Sequence, residues 1–331
     1  MLIDSIYDAL FTFDQETTMP LPHPTIMPTF SHSLMDSRYI PQNIIQEEFT
    51  KHCYLYQTIR STVPDVDISV YSIGKHLNHK TWLLILAAVY VLNKTQNIRN
   101  SVSVILAYSP HKKLLPAQQT LSRLDVNNIN SGVSTQHDST CIIYRKEEMH
   151  KVILHELMHL WQHDMHQHQG GNLAIGELLH ITPPPLLNEG YIDALACIHL
   201  VAFRLFFWSN KKHQHDTKET FRNAFNTQLK TDTQHVINTA AKVIAFYNKR
   251  EWIENTHAFS YYVVKALILM HIKRFLKHYQ SKNKNNVHAY IESLCTRKNM
   301  NIIVSKSSDS HDFHDSHDSQ SLRMFPEMTV A

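Results

Sequence analysis

Apolar residues recur along this chain in two rhythms. From Trp82 to Leu92 they are unbroken, a run too short to cross a bilayer but suited to a buried helix, so residues 76–100 are predicted to form a core helix. Ser101 to Tyr108 and Cys141 to Arg145 are short β-branched and aromatic stretches, which predict two strands, with a polar loop around Asn127 to His137 before the second. Val152, Ile153, Leu157, Leu160 and Trp161 then recur at helical spacing, and Lys146-Glu147-Glu148 place acidic residues in the expected first turn. Pro183-Pro184-Pro185 hold an extended entry to a second apolar helix, Glu189 to Trp208. Further helices are predicted at Thr217–Leu229, Gln234–Tyr247 and Asn255–Leu276, with the ordered part ending near Thr296.

These elements predict an α+β fold, mostly helical. Residues 1–75 mix short helical runs with the proline-studded segment Pro20 to Pro28 and read as an irregular or helical region; 76–300 read as the main domain. Residues 301–331 read as a tail, because His311-Asp312, His314-Asp315 and His317-Asp318 set among serines bury too little apolar surface to order themselves.

Composition narrows the class. With 331 residues, 43% hydrophobic, one substantial core is within reach, and six glycines favour helices over a turn-rich β-sandwich. A net charge of +3 is too small to argue for nucleic acid as a partner. Ala194 to Trp208 is apolar but interrupted by His199 and Arg204, so no membrane partner is expected either. Cys53, Cys141, Cys197 and Cys295 form no paired motif, and the first residues carry neither a basic stretch nor a long apolar run. A cytoplasmic protein with reduced thiols is expected.

The chemistry is concentrated in His155-Glu156-Leu157-Met158-His159. On a helix the two histidines project from one face a turn apart and can share a metal ion, zinc by preference; Glu156 sits beside the ion, where it can accept a proton from water activated there. A third ligand is expected from Glu189, with Asp193 one turn later on the same face to accept the remaining N–H of a ligating histidine. The alternative for these two is a helix cap and a satisfied core acid. Glu177 and His180 are outlying candidates for the third ligand, whereas His163, Asp164, His166 and His168 read as a polar helix end. Tyr261 and His257, four residues apart, are candidates for steadying an oxyanion.

His155-Glu156-x-x-His159 followed by Leu187-Asn188-Glu189-Gly190-Tyr191 resembles the gluzincin metallopeptidases. The resemblance covers roughly residues 139–280. It implies a zincin-like fold, with a small sheet over the active-site helix whose edge strand orients the substrate. It also implies one Zn²⁺ held by His155, His159 and Glu189, Glu156 as acid/base, Asp193 behind the ligands, and a peptide or protein substrate. His159 and Glu189 lie thirty residues apart, longer than is usual there, and no aminopeptidase Gly-Ala-Met-Glu-Asn motif is present. More loosely, Asn130-Ser131-Gly132, Tyr144 to Glu148 and Lys151-Val152 are similar to uncharacterised metallopeptidases of large DNA viruses. The rival expectation is a catalytically inactive zinc-binding domain serving as a scaffold or protein-binding module.

Overall fold

A computed structural model describes residues 2–16, 21–28, 30–58, 66–95, 101–116, 123–165, 172–208, 217–247, 252–254, 256–280, 283–308 and 321–322. The first elements are helix α1 (Leu2–Glu16), strand β1 (Thr25–Met27), helix α2 (Gln42–Glu48) and strands β2 (Cys53–Gln57) and β3 (Asp67–Ile73). Helix α3 (His79–Thr95), strand β4 (Ser101–Ser109), the short helix α4 (Val126–Ile129) and strands β5 (Gly132–Thr135) and β6 (Thr140–Arg145) lead to helix α5 (Met149–Leu160). Next come α6 (Leu173–Leu179), β7 (Ile181–Thr182), α7 (Leu187–Phe203) with a π-helical extension through Trp208, α8 (Lys218–Tyr247) and β8 (Trp252–Ile253). A π-helical segment, Phe259–Val264, runs into α9 (Lys265–Met270), followed by α10 (Ile272–Gln280), α11 (Lys284–Leu294) and α12 (Arg297–Ser308).

One mixed sheet organises the amino-terminal half, in the order β1-β2-β3-β4-β6-β5. The central pairs β3–β4 and β4–β6 are parallel, and β5 closes one edge antiparallel to β6. Strands β4 and β6 read as continuous apolar runs because both their faces are covered. Val104, Leu106, Cys141 and Ile143 face the main core, whereas the alternate residues Ile105, Ala107, Ile142 and Tyr144 meet Phe30, Ile44 and Phe49 on the opposite side. Helix α5 lies against β5 and β6 on one side and against α3 and α7 on the other. Its histidines thereby stand at the sheet edge rather than in the middle.

Several expectations are corrected. The first 75 residues supply three strands of this sheet as well as α1, so they are neither irregular nor purely helical. The stretch expected as a polar loop around Asn127 to His137 contains α4 and the edge strand β5, whose short, half-buried Gly-Val-Ser-Thr sequence gives a weak alternating signal. Glu148 is not in the first turn of α5; it precedes the helix in a left-handed conformation (φ 57°) and is buried against Lys113.

The two helices expected at Thr217–Leu229 and Gln234–Tyr247 are one helix, Lys218–Tyr247. Within its polar stretch 230–233, Thr233 donates back to the Leu229 carbonyl (2.7 Å) and Asp232 is buried near Arg204 (3.7 Å). Residues 301–308, expected in a disordered tail, end α12, and Leu322 is buried in the core. The His/Asp-rich run at 311–318 lies outside the described residues, as do His166 and His168. Leu187–Trp208 is long and apolar enough to cross a membrane by composition, but its most apolar window is 78% buried inside the fold.

Candidate metal centre

Helices α5 and α7 pack side by side, and their first shared consequence is a three-residue cluster. His155, His159 and Glu189 each offer one ligand atom, all within 4.8 Å of one another. His155 Nε2 and His159 Nε2 are 3.1 Å apart, and Glu189 Oε2 is 3.4 Å from each. Among the described residues this is the cluster of His, Cys, Asp and Glu able to hold a metal ion. Glu177 and His180 are exposed on α6 and its end, outside it.

The far nitrogens of both rings face carboxylates. His155 Nδ1 is 3.1 Å from Asp193 Oδ1, an ion-pair distance off the line of a good hydrogen bond. His159 Nδ1 meets Asp164 Oδ1 at 2.8 Å. Such contacts select the ring tautomer that leaves Nε2 free to bind a cation. Asp164 was expected at a polar helix end. It is instead a member of the site, held by the Asn188 side-chain amide, while Asn188 Oδ1 accepts from Met165 N–H (2.8 Å). The Asn188-Glu189 pair thus supplies one residue to the cluster and one to the loop that backs it.

Behind Asp193 lie two ammonium groups to which the sequence alone assigns no role. Lys151 Nζ donates to Asp193 Oδ1 (2.5 Å), and Lys265 Nζ lies 2.8 Å from Oδ2 in an ion pair outside hydrogen-bond geometry. All three are fully or almost fully buried. Burial pushes the Asp193 carboxyl up, but Lys151, Lys265 and His155 outweigh it and hold it well below the usual carboxylate range. Glu189 behaves likewise: burial raises it, and the two imidazoles bring it well below. Burial pulls His159 down, but Glu189 and Asp164 hold it well above an ordinary histidine.

Glycine makes this assembly possible at two places. A Cβ on Gly190 would lie 2.5 Å from the Ser260 carbonyl oxygen and 2.6 Å from Val264 Cβ. The π-helical segment can therefore press its backbone against α7 and bring Tyr261 to Glu189, Oη to Oε2 at 3.1 Å. On the sheet side, a Cβ on Gly132 would meet Val152 Cγ1 at 2.7 Å and Glu156 Oε1 at 2.8 Å, so β5 passes directly over α5 at the first motif.

A cleft of about 280 Å³ opens on the cluster. Gly132, Val133 and Ser134 of β5 form one wall, and Glu156, His257 and Tyr261 line it with the three clustered residues. His257 does not share a helix face with Tyr261. It precedes the helical segment in a left-handed conformation (φ 59°), and its carbonyl accepts from Tyr261 N–H at 2.9 Å. Burial lowers the His257 pKa, favouring the neutral ring; burial and the carboxylates of Glu189, Glu156 and Asp193 raise the Tyr261 phenol well above its ordinary value, keeping it a donor. Chemically the arrangement combines a cation-binding triad, a carboxylate beside it and two neutral hydrogen-bonding groups across a cleft.

No protein-family model, curated protein or solved structure matches the chain.

Proposed function

We propose that the protein is a zinc-dependent peptidase that hydrolyses peptide bonds by activating water, without a covalent intermediate. The carrying observation is the spacing of the triad. Tetrahedral zinc with bonds of about 2.0–2.1 Å needs ligand atoms about 3.3 Å apart. The three separations here are 3.1, 3.4 and 3.4 Å. Two nitrogens and one carboxylate oxygen suit zinc, and three protein ligands leave a position open towards the cleft, as a catalytic site requires and a closed structural site does not. That opening favours the enzyme over an inactive zinc-binding scaffold.

His155, His159 and Glu189 hold the ion, which supplies Lewis acidity towards water and towards a carbonyl. Asp193 and Asp164 fix the two imidazoles in the binding tautomer. Glu156, on the cleft wall but outside the triad, takes the proton from the attacking water and delivers it to the leaving amine. Tyr261 and His257 donate to the carbonyl oxygen as it gains charge. The β5 edge beside the cleft offers backbone groups to pair with an extended peptide.

The test is cleavage of a mixed peptide library by the full-length chain, followed by mass spectrometry. The reading expects one zinc per chain, cleavage abolished by a chelator and restored by zinc. A chain that carries stoichiometric zinc and cleaves nothing is the scaffold; one that carries no zinc is neither.

A further inference from the structure

Beside the cleft lies a smaller cavity of about 20 Å³, room for one or two water-sized groups. Asn130, Gly132, His155, Glu156 and Tyr261 border both spaces, so the cavity adjoins the reacting centre. Its remaining wall is formed by Lys113, Ile129, Ser131, Lys151, Val152 and Asp193, whose carboxylate is taken up by Lys151 and Lys265.

Polar groups in this wall lack partners. Ser131 Oγ and Asn130 Oδ1 are buried without a hydrogen bond, and both residues are less than a tenth exposed. Lys113 is 1% exposed and pairs with Glu148 Oε2 at 3.1 Å; an ammonium has three protons to place. Burial, with Lys151 and Arg145 close by, lowers the Lys113 pKa to about 8 against the opposing pull of Glu148 and Glu147. Lys151 is already committed to Asp193. Arg145 is also buried nearby, its guanidinium taken up by the carbonyls of Asn130, His111, Val126 and Asn127. These bonds hold the Asn127–Asn130 stretch that leads into the cavity wall, and leave Lys113, whose ammonium donates to Glu148 Oε2, as the bordering cation with donors to spare.

Resting on the peptidase reading, we infer that this cavity is a specificity pocket for a carboxylate of the substrate, received by Lys113 and Ser131 next to the bond to be cleaved. The carboxylate belongs either to an acidic side chain or to the carboxyl end of a short peptide. The two oxygens of a carboxylate match this room, bring Lys113 a further acceptor and give the Ser131 hydroxyl one.

The test measures binding, by fluorescence anisotropy, to the full-length zinc-loaded chain carrying Glu156→Gln, so that nothing depends on turnover. Four labelled peptides cut by the parent are compared, with Asp or Asn beside the cleaved bond and a free or amidated carboxyl end. Removing the recognised carboxylate is expected to weaken binding about 10-fold or more. The peptide change that does so distinguishes side chain from terminus. Two further variants locate the site: Lys113→Met with Glu148→Gln, which removes the buried charge pair together, and Ser131→Val, which fills the cavity. Both are expected to erase the discrimination to within about twofold, with the fold checked by circular dichroism. Equal binding of all four peptides, or no binding of any, overturns the inference; so does discrimination that survives both variants. If the parent cleaves nothing, peptides drawn from an acidic library replace the cleaved ones. Carboxylate discrimination with no hydrolysis then removes the peptidase reading and leaves the pocket.

Discussion

Replacing Asp193 by Asn removes one charge and almost no volume from a carboxylate that faces three cationic or ring partners. Asp193 is fully buried and faces Lys151 at 2.5 Å, Lys265 at 2.8 Å and His155 at 3.1 Å. The amide can still accept from Lys151, but two buried ammonium groups are left without their shared counter-charge. Breaking one buried pair in this way costs roughly 3–5 kcal/mol, a large part of the 5–15 kcal/mol typical of folding. Urea denaturation at pH 7 with chelator present measures this loss free of metal. Because the folded carboxyl is held below its ordinary value, its stabilisation is present above the unfolded pKa of about 4 and disappears as pH falls below it, so the parent and variant converge only in acid. Adding Lys265→Met to Asp193→Asn removes one orphaned charge and recovers part of the loss. A variant within about 0.5 kcal/mol of the parent means that the lysines reach water, and the buried network is wrong. With zinc present, the same variant is expected to bind the ion roughly 10–100-fold more weakly, because His155 loses the group that orients it.

Other outcomes follow from neighbouring contacts. Gly190→Ala places a methyl group 2.5 Å from a backbone oxygen that no side-chain rotation relieves; a thermal scan is expected to register a loss of about 1–3 kcal/mol, and an unchanged midpoint removes the close approach of α7 to the Tyr261 segment. Tyr261→Phe is expected to lower kcat about 100- to 1,000-fold with KM little changed; steady-state kinetics showing only a KM effect assigns the tyrosine to substrate binding. Glu254 is buried, accepts from Phe259 N–H and the Trp252 indole, and has its pKa raised by burial to about 7. Folding there favours the protonated carboxyl, so its stabilisation is complete below the unfolded pKa near 4.5 and is lost as pH rises through about 7. Glu254→Gln stays neutral, and denaturation at pH 5 and pH 8 is expected to show a smaller fall for the variant than for the parent.

Helical periodicity and the His155–His159 spacing made α5 legible, because both are local properties of one element. Glu189 and Asp193 were legible as one face of a second helix. The close approach of the Tyr261 segment to α7 was not, since it depends on Gly190 meeting the Ser260 carbonyl 70 positions away. Asp164 escaped for a related reason. It follows the end of α5 at Trp161, where helical spacing no longer says which way a side chain points, and its partner Asn188 is 24 positions away. Nothing local in the sequence marks Lys151 and Lys265 as buried, and their burial follows from the enclosure of Asp193. The edge strand β5 was hidden because four half-buried residues carry little alternation. Strand β1 was obscured by the proline-rich stretch, which the sheet accommodates at its edge.

The most direct test compares the parent with Glu156→Gln at matched zinc content on one peptide that the parent cleaves. Glu156 borders the cleft and lies outside the triad of donors, so one zinc per chain is expected in both proteins, with hydrolysis by the variant slower by about 100-fold or more. Equal rates from the two proteins would contradict the general-base role of Glu156.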